Sequence, residues 1–201
     1  MFTIKKILIF SLIAILLVSV FSISYILNLK NGVADSVLRL HVVGASDNAY
    51  DQHLKICVRD RILSDFKDAL ENLPDKTNAV KWATDNSDEI CAVSQDELRK
   101  YGCYLPVYVE VGKTEFPTKT YGSIALPRGT YTALNVKIGG AKGQNWWCVM
   151  YPPLCVTDKT AEITDKSKQY LKDNLSSSEY DLISENPTIK IKFRIAELLN
   201  Y

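Results

Sequence analysis

Apolar residues follow three patterns along this chain. The first is an uncharged run from Ile7 to Leu29, with Lys5 and Lys6 before it and Lys30 after it. Those 23 residues, as a helix rising about 1.5 Å per residue, reach about 35 Å and exceed the roughly 30 Å hydrocarbon layer of a bilayer. Two readings fit: an uncleaved anchor, or a signal segment removed at Gly32-Val33-Ala34. Both make residues 7–29 the membrane contact, and the two leading lysines orient the remainder outward. Residues 1–29 are therefore expected to be anchor or signal, and 30–201 an extracytoplasmic domain.

The second pattern has helical spacing. Leu54, Cys57, Val58, Ile62, Phe66, Ala69, Leu70 and Leu73 recur at intervals of three and four, predicting an amphipathic helix over 48–73 that Pro74 stops. Ser46-Asp47-Asn48 supplies capping chemistry before it. Further helix is expected from Asp75 to Tyr101, broken near Asn86-Ser87 and ended at Gly102. A more polar helix is expected from Ile163 to Leu175, then a loop at Ser176-Ser177-Ser178.

The third pattern is alternation. Ser36 to Val43 reads as a first strand. Leu105, Val107, Val109 and Val111 alternate with Pro106, Tyr108 and Glu110, and the proline suits a sheet edge. Strands follow around Lys119–Leu126, Tyr131–Ile138 and Asn145–Tyr151, with a turn at Pro127–Thr130 and a loop at Gly139–Gly143. Ile189, Ile191, Phe193 and Ile195 alternate with Lys190, Lys192 and Arg194 in a last strand with a basic face. A strand, helices, then a strand meander imply an α+β domain: a mostly antiparallel sheet with helices packed on one face.

Charge narrows the function. From Lys30 onward 22 basic residues meet 23 acidic ones, a net −1 that gives no nucleic-acid footprint. Cys57, Cys91, Cys103, Cys148 and Cys155 are odd in number, so at least one thiol stays unpaired. Cys148 and Cys155 flank Pro152-Pro153, which can turn the chain so that the two form a disulfide; Cys57, in phase with Leu54 and Val58, reads as a buried thiol. No Cys-x-x-Cys pair accompanies His41 and His53, so no metal site is expected. The glycine-rich loop at 139–143 lacks a phosphate-loop signature, and neither a cofactor nor a small-molecule substrate is expected.

His41 with Asp47, or with Cys148 as nucleophile, raises a cell-wall or septal hydrolase as an alternative, without a nucleophile elbow to support it. Asp51, Lys55, Arg59 and Asp60 read as ion pairs on an exposed helix face. Asn145-Trp146-Trp147-Cys148 and Tyr151-Pro152-Pro153-Leu154-Cys155 form the densest unusual segment. On a strand the two tryptophans face opposite sides, and an exposed tryptophan beside a rigid proline pair anchors protein partners. Trp146, Trp147, Pro152, Pro153 and Tyr121, then Arg39, His41 and Asp47, are the candidate partner-binding residues, with no catalytic set assigned.

These residues carry a resemblance. Leu38-Arg39-Leu40-His41-Val42-Val43-Gly44-Ala45-Ser46-Asp47, Asp51-Gln52 with Leu54-Lys55, Val58-Arg59-Asp60, Phe116 to Gly122, Leu126-Pro127 with Gly129 and Tyr131, and Gly143 to Cys155 resemble the stage II sporulation protein R family. The resemblance covers about 37–156 and leaves 157–201 as a C-terminal extension. It implies a non-enzymatic signal of endospore formers, exported from the forespore into the septal intermembrane space. There it would activate a membrane-embedded aspartic protease of the mother cell, which processes the precursor of sigma-E.

Overall fold

The computed structural model describes residues 2–155 and 163–184. Helix α1 (Phe2–Ser36) carries the apolar run, and its side chains from Ile4 to Phe21 lie open on all sides, as suits contact with lipid. Its last turns differ: Val33 and Ala34 are buried in the domain. Only Val37 separates α1 from β1 (Leu38–Val43), so the apolar helix runs directly into the core.

The helical stretch divides into four helices. Asn48 caps α2 (Ala49–Asp65), its Oδ1 accepting from the Asp51 amide at 2.7 Å. The expected single helix over 48–73 breaks at Phe66, whose buried ring packs 5.3 Å from Trp82, and a short α3 (Lys67–Glu71) follows. Asp75 caps α4 (Lys76–Asp85), and α5 (Ser87–Lys100) begins after the expected break at Asn86. Gly102, at φ +73, occupies the left-handed position beyond α5, and Cys103 N–H closes onto Leu98 C=O at 3.1 Å.

The strands are β2 (Val107–Phe116), β3 (Lys119–Tyr121), β4 (Ile124–Leu126), β5 (Gly129–Ile138) and β6 (Asn145–Tyr151). Among the described residues they form a four-stranded sheet ordered β2-β5-β1-β6 and a separate β3-β4 hairpin. The expected single strand over 119–126 is thus two strands turning at Gly122-Ser123. β2 lies on an edge, as Pro106 implies. Antiparallel pairing joins β2 to β5 and β1 to β6, while the central β1 and β5 run parallel.

All six β1 residues are buried, because both sheet faces are covered. Helices α2 to α5 pack on the face bearing Leu38, Leu40 and Val42. The end of α1, the hairpin, α6 (Asp165–Asn174) and α7 (Ser177–Ile183) cover the other, around Phe116, Tyr131, Ala133 and Val149. Ser176, read from sequence as loop, caps α7 in a reciprocal capping box with Glu179. The expected basic strand over 189–195 lies outside the described residues.

Candidate partner-binding site

The register brings four of the eight candidate residues together on the sheet face opposite α2. His41 pairs with Trp147 across β1 and β6, and the two rings stack at 4.1 Å and 11°. Phe116 tilts against Trp147 at 4.7 Å and Tyr131 meets Phe116 edge-on at 5.6 Å. Beneath them Arg39 is fully buried, its guanidinium 4.2 Å from the Phe116 ring centre and 4.9 Å from that of Tyr131. Arg39 Nε donates to Cys148 C=O and Nη2 to Tyr121 Oη, both at 2.8 Å, and the Tyr121 hydroxyl donates on to Trp147 C=O at 3.1 Å. Nη1 has no partner among the described residues. Burial pushes the Arg39 pKa down and the Tyr121 pKa up.

Arg39 is therefore a support for the surface, with no atom open to a partner. His41 is nearly as enclosed: Nδ1 lies 3.0 Å from Asn135 Oδ1, and Nε2 2.7 Å from Asn145 Oδ1. Asn135 also accepts from Thr114 at 2.9 Å. A polar residue at the centre of the apolar run 131–138 was the signal for this partner.

The other candidates separate. Trp146, on the α2 face, lies under Arg59 with the guanidinium 4.0 Å above its ring. Both tryptophans are half-buried. Asp47 lies in the β1–α2 loop and accepts the Gln144 amide at 2.7 Å. Pro152 is buried beyond a cis Tyr151-Pro152 bond, and Pro153 lines a different groove with Leu73, Pro74 and Tyr170. Cys148 and Cys155 are bonded, with Cα atoms 5.5 Å apart, joining β6 to the segment after those prolines.

Two sequence expectations fail on α2. Lys55 and Arg59 are 4% exposed, because the helix turns their stems onto the sheet. Lys55 Nζ donates to Gln52 Oε1 at 2.5 Å and to Gln144 C=O at 3.1 Å, and Arg59 pairs with Asp60 at 2.5 Å. Cys57 sits beside the buried stripe, half-buried, its sulfur 3.5 Å from His53 Nε2.

A groove of about 510 Å³ opens beside this cluster, walled by Gln52 and Lys55 of α2, Lys119 and Tyr121 of β3, and Trp146 and Trp147 of β6. The chain matches the family model described as Stage II sporulation protein R (spore_II_R) over residues 34–161. A relative, the stage II sporulation protein R of Bacillus subtilis strain 168, is 32% identical over 126 residues, covering 63% of this chain and 56% of the relative. The chain thus spans little more than half of that relative's length. No solved structure matches. The matched segment opens at Ala34, where α1 enters the core, and runs past β6 with its paired tryptophans and bonded cysteine; the chain belongs to the stage II sporulation protein R family.

Proposed function

We propose that this protein is an exported, membrane-tethered signal of sporulation that activates a membrane-embedded aspartic protease in the facing membrane, leading to processing of the sigma-E precursor. The observation that carries the reading is the Trp147 platform. A half-buried aromatic stacks on His41 and tilts against Phe116, beside a fully buried, hydrogen-bonded Arg39. A ring held this way loses little freedom on binding, the property of an anchoring residue. Such a ligand switches a protease only by binding its active arrangement more tightly than its inactive one.

Burial of Val33 and Ala34 supports a retained anchor, since cleavage beside them would cut into core helix. The hydrolase alternative finds little support in the same contacts. Cys148 is bonded to Cys155, both His41 nitrogens face asparagine amides, and Asp47 holds a backbone amide.

The test co-expresses the full chain with the protease and its precursor substrate in a non-sporulating host and follows cleavage. Trp147→Ala is expected to reduce cleavage at least tenfold, while Tyr104→Ala, at an 82% exposed position outside the platform, leaves it unchanged. Full cleavage with Trp147→Ala, or cleavage of the precursor by this chain in the absence of the protease, would sink the proposal.

A further inference from the structure

We infer that the groove between α2, β3 and the unpaired edge of β6 receives an extended, acidic segment of the partner, which joins β6 as an additional strand. This rests on the signalling reading above and names the chemistry of the contact.

Among the described residues β6 pairs with β1 alone; along Asn145–Cys148 the Trp147 C=O takes the Tyr121 hydroxyl and the Cys148 C=O takes Arg39 Nε, so an added strand would use the remaining outward backbone groups of this stretch. The two edges of the sheet are treated differently. β2 carries Glu110, Lys113 and Glu115 along its length and Pro106 just before it, features that discourage pairing. β6 has no charged residue and no proline from Asn145 to Tyr151. Its first three residues are open or half-open, whereas Cys148 to Tyr151 are buried. An edge left pairable over a short stretch is the feature that strand addition uses.

Charge identifies what the added strand carries. Lys55 and Lys119 stand on opposite walls of the groove, and no carboxylate lines it. Lys55 is almost wholly buried, yet its ammonium meets only the neutral oxygens of Gln52 and Gln144, leaving one of its three donors without a partner among the described residues. Its desolvation pulls its pKa down, with Asp47 acting the other way without touching it. A buried cation that touches no counter-charge is costly, and a carboxylate entering from the groove offsets that cost. Trp146 and Trp147 flank the edge on opposite faces, giving alternate partner side chains an aromatic surface on either side.

The probe is a blocked hexapeptide alternating valine and glutamate, added to the full chain in detergent micelles. Binding is expected to shift and protect the backbone amides of Asn145–Cys148 in NMR spectra. A valine–lysine peptide should bind at least tenfold more weakly, and N-methylation of every second peptide nitrogen should abolish binding. Lys119→Glu, at an exposed position, should weaken the acidic peptide at least tenfold, and Lys55→Gln should act in the same direction. Equal binding of the lysine peptide, no binding of the acidic one, or binding that leaves the β6 amides unmoved overturns the inference. In the cleavage assay, a Lys119→Glu chain as active as wild type alongside an inactive Trp147→Ala chain overturns the acidic-strand inference and leaves the signalling reading standing. A wild-type chain that elicits no cleavage removes the signalling reading, and the peptide result then decides the groove by itself.

Discussion

Arg39 has no exposed surface and no carboxylate in contact among the described residues, so its charge is accommodated by ring faces and neutral oxygens. The planar guanidinium lies against Phe116 and Tyr131 while its edge reaches Cys148 C=O and Tyr121 Oη, an arrangement that an ammonium on a flexible stem does not reproduce. Arg39→Lys is expected to lower unfolding free energy by about 1–3 kcal/mol, through loss of a charge-assisted bond in a buried site, measured from the denaturant midpoint. Under the proposed function it should also weaken protease activation by freeing Tyr121 and Trp147, and a variant with unchanged midpoint would contradict this account. Sequence alternation places Arg39 and His41 on the face opposite Leu40. Whether that face meets solvent depends on α1, the hairpin and α7, which are distant in sequence, so Arg39 reads as a surface contact until the fold is known.

At the level of elements, the groove's shape depends on two loops tied to each other. Gly143 N–H donates to Gly44 C=O at 2.9 Å, Lys142 N–H to Ala45 C=O at 3.2 Å, and Asp47 takes the Gln144 amide. Asp47 is thus a positioning residue for the start of β6. A Cβ on Gly143 would lie 2.3 Å from the Ser46 carbonyl oxygen, inside contact distance of backbone that cannot rotate away. Gly143→Ala should therefore cost about 1–3 kcal/mol as the loops part, and should broaden the Asn145–Trp147 amide signals. A stable variant with sharp signals there would show that the loops are not coupled. The helix ends at Asp75 and Gly102 were legible because caps are local and these residues carry their own chemistry. The hairpin over 119–126 was not, since strands of three residues are too short for alternation to reveal the turn between them.

For the whole molecule, burial raises the hydroxyl pKa of Tyr121, Tyr131, Tyr151 and Tyr170. Above about pH 10 the unfolded chain ionises these groups while the native state keeps their protons, so the stability they contribute is full below that pH and is lost as pH rises beyond it. Burial lowers the pKa of Lys55 and Lys76, which has the opposite sign, but that gain saturates near pH ~10.4, where unfolded lysines lose their protons. Thermal midpoints measured from pH 8 to 11.5 should therefore fall above about pH 10.5, with a shallower fall for Tyr121→Phe. A midpoint still rising at pH 11 would refute the balance. By itself the sequence determined the membrane-length apolar run, the α+β order of elements, the edge position of β2 and the opposite faces of the two tryptophans, because each follows from local period or local capping. Tertiary structure alone decided that β1 is buried on both faces, that Lys55 and Arg59 turn inward, and that Asn135, Phe116 and Tyr121 gather around His41, Arg39 and Trp147. Those contacts join residues up to about a hundred positions apart, and no local pattern records which surfaces the rest of the chain will cover.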